Sequence, residues 1–243
     1  MINEDQIIPY EARDLPVESG PWLVFAPHAD DETFGMGGTL LKAADSGITT
    51  ELVVMTDGAL GGQGNGLVRI RQDEARLAAQ KLGMRQPTFL GLPDRGLKLD
   101  EATTNLVMAQ IKRVGPAAVF FPGVFELHPD HRTTAALVWH CLRMLGASAP
   151  AAISYEILTQ GLVNTLIDIS SHIYKKQEAM AIYASQLKEN HYIEVATALN
   201  SLRSLTLPEN VSHAEGFYHY PKSDLEADLK AATLTKIGQF FTP

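Results

Sequence analysis

The chain has 243 residues, of which 45% are hydrophobic and 20% charged, the balance of an ordinary globular protein rather than a disordered or fibrous one. Its net charge of −8, without a long block of like charge, offers nucleic acid no counterion-releasing surface, and its single cysteine, Cys141, excludes an intramolecular disulfide framework. The opening MINEDQIIPYEARDLP lacks the basic-then-apolar order of a secretory signal, and no apolar run approaches the roughly 18 residues of a membrane span, so a soluble cytoplasmic protein is expected.

Residues 1–20 are polar, hold two prolines and read as a lead-in segment. PWLVFAP (21–27) is a short apolar run between prolines, the pattern of a buried strand. A helix is expected over GMGGTLLKAADSG, ending at Gly47, and then a second strand, ITTELVVMTDG, that runs into a glycine-rich loop at 57–66. VRIRQDEARLAAQKLG has helical spacing, with Leu77, Ala78 and Leu82 near one face and Gly83 as the stop. PTFLG reads as a short strand, 100–114 as a helix and AAVFFPG (117–123) as another buried strand. HPDHRTTAALVWHCLRMLG places proline at the first helical position and ends at glycine, and AAISYEIL is a further strand. After about residue 170 the pattern turns helical, loop-rich and aromatic, through KKQEAMAIYASQL and HAEGFYHYPKS. The alternation of strand and helix predicts an α/β fold with a largely parallel sheet wrapped by helices.

Two clusters carry chemistry. Pro27-His28-Ala29-Asp30-Asp31-Glu32 follows the first strand, and His128-Pro129-Asp130-His131 follows AAVFFP. Each stands where a strand feeds a helix, the end of an open α/β sheet at which sites form. His28 and Asp31, like His128 and His131, are three residues apart, so each pair shares one side of a first helical turn. A catalytic zinc site needs three protein ligands and an open position for water, and His28, Asp31 and His131 can supply two nitrogens and one oxygen. Asp30 and His128 would then stand beside the metal as acid/base groups. The same set suits Fe²⁺ or another divalent ion, so ligand type leaves the metal open. Alone, Asp-Asp-Glu opening a helix is capping chemistry and His-Pro-Asp-His is a helix start. Together, at two strand-to-helix junctions, they point to a site.

Other features are weaker. The 57–66 loop has amides that could cradle phosphate but lacks the Lys-Ser/Thr ending of a P-loop. GMGG at 35–38 suits close helix–strand packing. His140, Cys141, His213 and His219 read as structural, and no G-x-S-x-G elbow is present.

These residues resemble the PIG-L/LmbE-like family of zinc-dependent de-N-acetylases, whose members carry A-H-P-D-D-E after the first strand and H-P-D-H after a later one. Further similarity runs through Arg71 to Glu74, Ala78 and Leu82-Gly83, through Leu90-Gly91-Leu92-Pro93-Asp94, through Lys176, Tyr183, Ser185 and Gln186, and through Ala214-Glu215-Gly216-Phe217. The resemblance covers about residues 20–220 and implies that 1–243 form one such domain. It implies a Rossmann-like three-layer fold, with a mostly parallel sheet and helices on both faces. The activity it implies is hydrolysis of an acetamide, usually on an amino-sugar derivative of N-acetylglucosamine. By the same resemblance His28, Asp31 and His131 are zinc ligands and Asp30 is the general base. His128 is a general acid or oxyanion stabiliser oriented by Asp130, while Arg71 and Asp94 contact substrate hydroxyls. Members are often homo-oligomers. Ala29 replaces the usual proline, and Glu126 stands two residues before His128, where members vary, which bears on substrate preference.

Two other readings compete with deacetylation. One keeps the chemistry but cleaves a different amide, such as a thiol conjugate. The other is a non-catalytic nucleotide- or sugar-binding module that uses the 57–66 loop and is indifferent to chelator.

Overall fold

The structure, a computed structural model, describes residues 11–62 and 66–239. In chain order its strands and helices are β1 (Glu11–Arg13), β2 (Trp22–Ala26), α1 (Asp31–Asp45), β3 (Thr50–Thr56), α2 (Leu67–Lys81), β4 (Thr88–Leu92), α3 (Glu101–Val114) and β5 (Ala118–Pro122). These are followed by α4 (Pro129–Leu145), β6 (Ala151–Tyr155), β7 (Thr165–Asp168), α5 (Ile173–Met180), α6 (Ala184–Leu187), α7 (Tyr192–Arg203), β8 (Ala214–Tyr220) and α8 (Leu229–Gln239). Among the described residues the strands form one eight-stranded sheet in the order β1-β7-β8-β6-β5-β2-β3-β4. All pairings are parallel except those of β8 with β6 and β7.

The alternation along each central strand explains the layers. Trp22, Val24 and Ala26 join one apolar core while Leu23 and Phe25 join the other, and β5 divides Ala118 and Phe120 from Val119 and Phe121 in the same way. Helices α1, α2 and α5 cover the first face and α3, α4 and α8 the second. Covered on both faces, β2 (WLVFA) and β5 (AVFFP) carry no polar positions, which is why they read as continuous apolar runs. No helix among the described residues is long and apolar enough to cross a membrane.

The sheet order also sets the position of chemistry. β2 lies between β3 and β5, and from it the chain winds outward in one direction through β3 and β4 and in the other through β5 and β6. This reversal is a topological switch point, where loops leaving the carboxyl ends part and open a crevice. The loops after β2 and β5 carry the two sequence clusters.

Three findings revise the expected elements. Helix α1 begins at Asp31, four residues before the expected GMGG start, and is broken at Met36 (φ −141°). Its glycines serve close packing as expected: a Cβ on Gly35 would lie 2.5 Å from the Glu156 carbonyl oxygen, and one on Gly38 would lie 2.6 Å from Ile169 Cγ2. β8 falls in HAEGFYHY, where no strand was expected, because buried Glu215 and Gly216 erase any polar/apolar alternation. The lead-in segment is not all irregular: β1 pairs with β7, while residues 1–10 lie outside the described residues.

Candidate metal centre

β2 ends at Ala26, and the next carbonyl, Pro27 O, accepts from both Thr56 N (3.0 Å) and Thr56 Oγ1 (2.9 Å), tying the loop to the neighbouring strand. Asp30 then takes φ 149°, a conformation that L side chains rarely adopt. Backbone strain of this kind persists only where the surroundings enforce it, and it concentrates at functional sites. The turn brings Asp31 back so that its Oδ2 accepts from His28 N at 2.8 Å.

Three atoms converge here. His28 Nδ1 lies 3.3 Å from Asp31 Oδ2, His131 Nε2 lies 3.3 Å from the same oxygen, and the two nitrogens are 3.3 Å apart. Ligands at 2.0–2.1 Å from a tetrahedral zinc stand about 3.3–3.4 Å from one another, so this triangle has the edge length such an ion requires. His128 adds a third ring, 4.6 Å from His28 and 5.2 Å from His131 between centroids, and its nitrogens too lie within metal-sharing reach of theirs. Its Nδ1, however, already accepts from Asp130 N at 3.2 Å.

The far nitrogen of His28 faces acid. His28 Nε2 is 3.3 Å from Asp94 Oδ1 and 3.4 Å from Asp130 Oδ2. Asp130 Oδ2 also accepts from Arg95 N at 2.6 Å and stands 4.0 Å from His128 Nδ1. The carboxylate of Asp130 therefore addresses His28 more closely than His128, the residue that the family resemblance has it orient. Asp94 uses its second oxygen to accept from Leu60 N at 2.9 Å.

Arg71 is buried, and its guanidinium donates to Gly58 O (3.3 Å), Ala29 O (3.3 Å) and Asp30 Oδ2 (3.4 Å). Gly61 leaves no room for a Cβ beside Arg71 Nη1. The described part of the glycine-rich loop thus wraps a guanidinium; residues 63–65 lie outside the described residues.

Burial pushes the Asp30 carboxyl up to about 7; the adjacent Asp31 adds to this and Arg71 opposes it. Burial also acts on Asp31, but the His131 and His28 imidazoles outweigh it and hold that carboxyl far below its ordinary range. Burial disfavours the charged form of His131, yet Asp31 raises it to about 9, and His28 is raised well above its usual value by Asp130, Asp31 and Asp94. His128 is lowered, by burial first and then by the other two imidazoles. A divalent ion bound to these nitrogens would displace the protons that the surrounding carboxylates favour.

Seven of the eight expected site residues border one pocket of about 200 Å³; the eighth, Asp130, stands behind it. Phe34, Leu158 and Tyr192 give the pocket apolar surface, and Gln186 joins them. Sequence reasoning missed these four as site residues. Gln186 was visible as part of a family motif without a role, and no signal marked Leu158.

The remaining motif residues form a frame. Glu215 accepts from Gly38 N (2.8 Å), Thr39 N (2.7 Å) and Lys176 Nζ (2.8 Å), supplying an acceptor for the amides that the break at Met36 leaves free. Tyr183 and Thr33 hydroxyls donate to Glu32 Oε1, each at 2.7 Å, and Ser185 donates N and Oγ to Glu74 at 2.9 and 2.6 Å.

Residues 23–142 match the family model described as PIG-L, GlcNAc-PI de-N-acetylase. Diacetylchitobiose deacetylase of Thermococcus kodakarensis is 32% identical over 118 residues, which are 45% of this chain and 44% of that protein, so the alignment spans less than half of that relative. A probable N-acetyl-alpha-D-glucosaminyl L-malate deacetylase 2 of Bacillus anthracis is 26% identical over 182 residues, 68% of this chain and 80% of that one. Among solved structures, N,N'-diacetylchitobiose deacetylase of Pyrococcus horikoshii is similar with a TM-score of 0.74 at 25% identity, covering 83% of this chain and 84% of that chain.

Proposed function

On the similarity of residues 23–142 to the PIG-L family of de-N-acetylases, we propose that the chain is a member and hydrolyses the N-acetyl group of an N-acetylglucosamine-type derivative at a divalent-metal site. The triangle of 3.3 Å edges among His28 Nδ1, Asp31 Oδ2 and His131 Nε2 carries this reading. Two imidazoles and a carboxylate fit Zn²⁺, and Fe²⁺ remains compatible with the same donors. When bound, such an ion acidifies water and polarises the acyl carbonyl.

Asp30 lies beside these ligands, is held by Arg71 and has a carboxyl poised at about 7, near the operating pH at which a general base is most effective. It takes a proton from the attacking water and returns it to the departing amine. His128, whose Nδ1 is engaged as an acceptor, keeps its proton on Nε2 and donates there to the developing oxyanion. Its lowered pKa favours the neutral imidazole, so it acts as a hydrogen-bond donor rather than as a cation. Arg71 and Asp94 border the pocket, where the family resemblance has them meet substrate hydroxyls; their present contacts also let Arg71 fix Asp30 and Asp94 support His28. Phe34, Leu158 and Tyr192 offer apolar surface to a sugar ring.

The test is acetate release from a panel of N-acetylglucosamine derivatives, with thiol-conjugate amides included, in the presence of chelator and after zinc is restored. Acetate that disappears with chelator and returns with zinc is the expected result. A protein that binds no metal refutes the reading; one that binds metal but cleaves only other amides keeps the site and changes the substrate.

A further inference from the structure

Glu126 stands two residues before His128 of the second motif. It lies on the loop between β5 and α4 with only 4% of its surface exposed. Its backbone is held by Arg132 Nη1, which donates to Glu126 O at 2.9 Å. Glu126 Oε1 accepts from Ile157 N at 2.8 Å and from Thr159 N at 3.4 Å. Those two amides flank Leu158, which lines the pocket. Oε2 is turned the other way and faces His131 Nδ1 at 3.7 Å.

That nitrogen is buried and has no hydrogen-bond partner. Among the described residues His131 is also the one basic side chain within ion-pair distance of the Glu126 carboxylate. An imidazole that presents Nε2 to a metal carries its remaining proton on Nδ1, and metal-ligating histidines ordinarily direct that N–H to a carboxylate, which fixes the tautomer and raises ligand basicity. The same carboxylate, through its other oxygen, holds the backbone on either side of a pocket residue. Charge alone does not explain this placement, since a buried acid needs only donors, whereas here one oxygen serves the loop and the other serves the ring.

We propose that Glu126 is a positioning residue that fixes the His131 tautomer with Oε2 and the Leu158 wall with Oε1, so that metal affinity and substrate fit are set through one side chain. This rests on the reading of His131 as a metal ligand. It predicts that the two tasks separate by substitution. Glu126→Gln keeps an oxygen for Ile157 and Thr159 but loses the acidic partner of Nδ1; Glu126→Ala loses both.

The experiment measures zinc affinity by chelator competition, and KM and kcat at saturating zinc, for the full-length parent and both variants. Glu126→Gln is expected to weaken zinc binding 10- to 100-fold with KM within twofold of the parent. Glu126→Ala should weaken zinc comparably and raise KM as well, by at least threefold. Zinc affinity of Glu126→Gln within twofold of the parent would overturn the tautomer role, and an unchanged KM in Glu126→Ala would overturn the wall role. If a variant does not fold, nitrogen NMR of the zinc-loaded parent decides the first role: a protonated, hydrogen-bonded His131 Nδ1 supports it, and an unprotonated one refutes it. A parent that binds no zinc overturns the function proposed above instead, so the two failures are distinct.

Discussion

The Lys176–Glu215 cluster and the His28–Asp31–His131 cluster are both buried, both built from acids and bases, and both attached to helix α1 or its approach. In the first, Lys176 Nζ donates to Asn200 Oδ1 at 2.8 Å as well as to Glu215, and Glu215 collects three donors. In the second, two ring nitrogens approach each other and one carboxylate oxygen at 3.3 Å, and an outer nitrogen is left without a hydrogen bond. The first is complete with the chain's own groups and acts as structure. On the function proposed above, the second is completed by a cation from outside, and that difference in satisfaction, rather than residue type, separates frame from site.

The comparison can be broken at several points. His131→Ala removes one corner of the triangle; zinc stoichiometry measured by elemental analysis should fall from one to near zero, and turnover with it. A stoichiometric ion in that variant would refute the ligand assignment. Asp30→Asn leaves the triangle intact, so zinc content should persist while kcat falls by about 10²–10⁴, the range of lost general-base catalysis.

Lys176→Met should behave in the opposite way. It strands the Glu215 carboxylate, and denaturant unfolding should show a loss of about 3–5 kcal/mol, while the folded fraction still binds zinc stoichiometrically. The smallest effect concerns Cys141, which is buried in α4 with its thiol pushed up to about 11 by burial. Because the thiolate is the reactive form and is populated only toward that pH, native protein at pH 8 should resist thiol reagents until denaturant is added.

Much of the candidate site was legible in sequence because its candidate ligands lie in two short motifs at strand ends. Their convergence was not, since it depends on β2 and β5 being adjacent, paired from Trp22↔Ala118 to Val24↔Phe120, and pairing order is a long-range property. The partner of Asp130 was obscured for a related reason. The resemblance implied His128, but the sheet delivers His28, 102 positions away in the chain, to a closer approach. Strand β8 escaped because its most polar residue, Glu215, is wholly buried for a structural task. The frame residues were visible as motif letters, and only contacts across the fold explain why acids and bases stand there.

The bonds from Glu215 to Gly38 and Thr39 join positions 177 and 176 residues apart. On a growing chain, the helix that follows the first motif therefore lacks this acceptor until β8 has emerged. Both His/Asp motifs emerge well before then, whereas the acceptor that fixes α1 arrives only with β8. On the function proposed above, a chain cut short before β8 would carry all three candidate ligands without the acceptor that fixes α1 at Gly38 and Thr39.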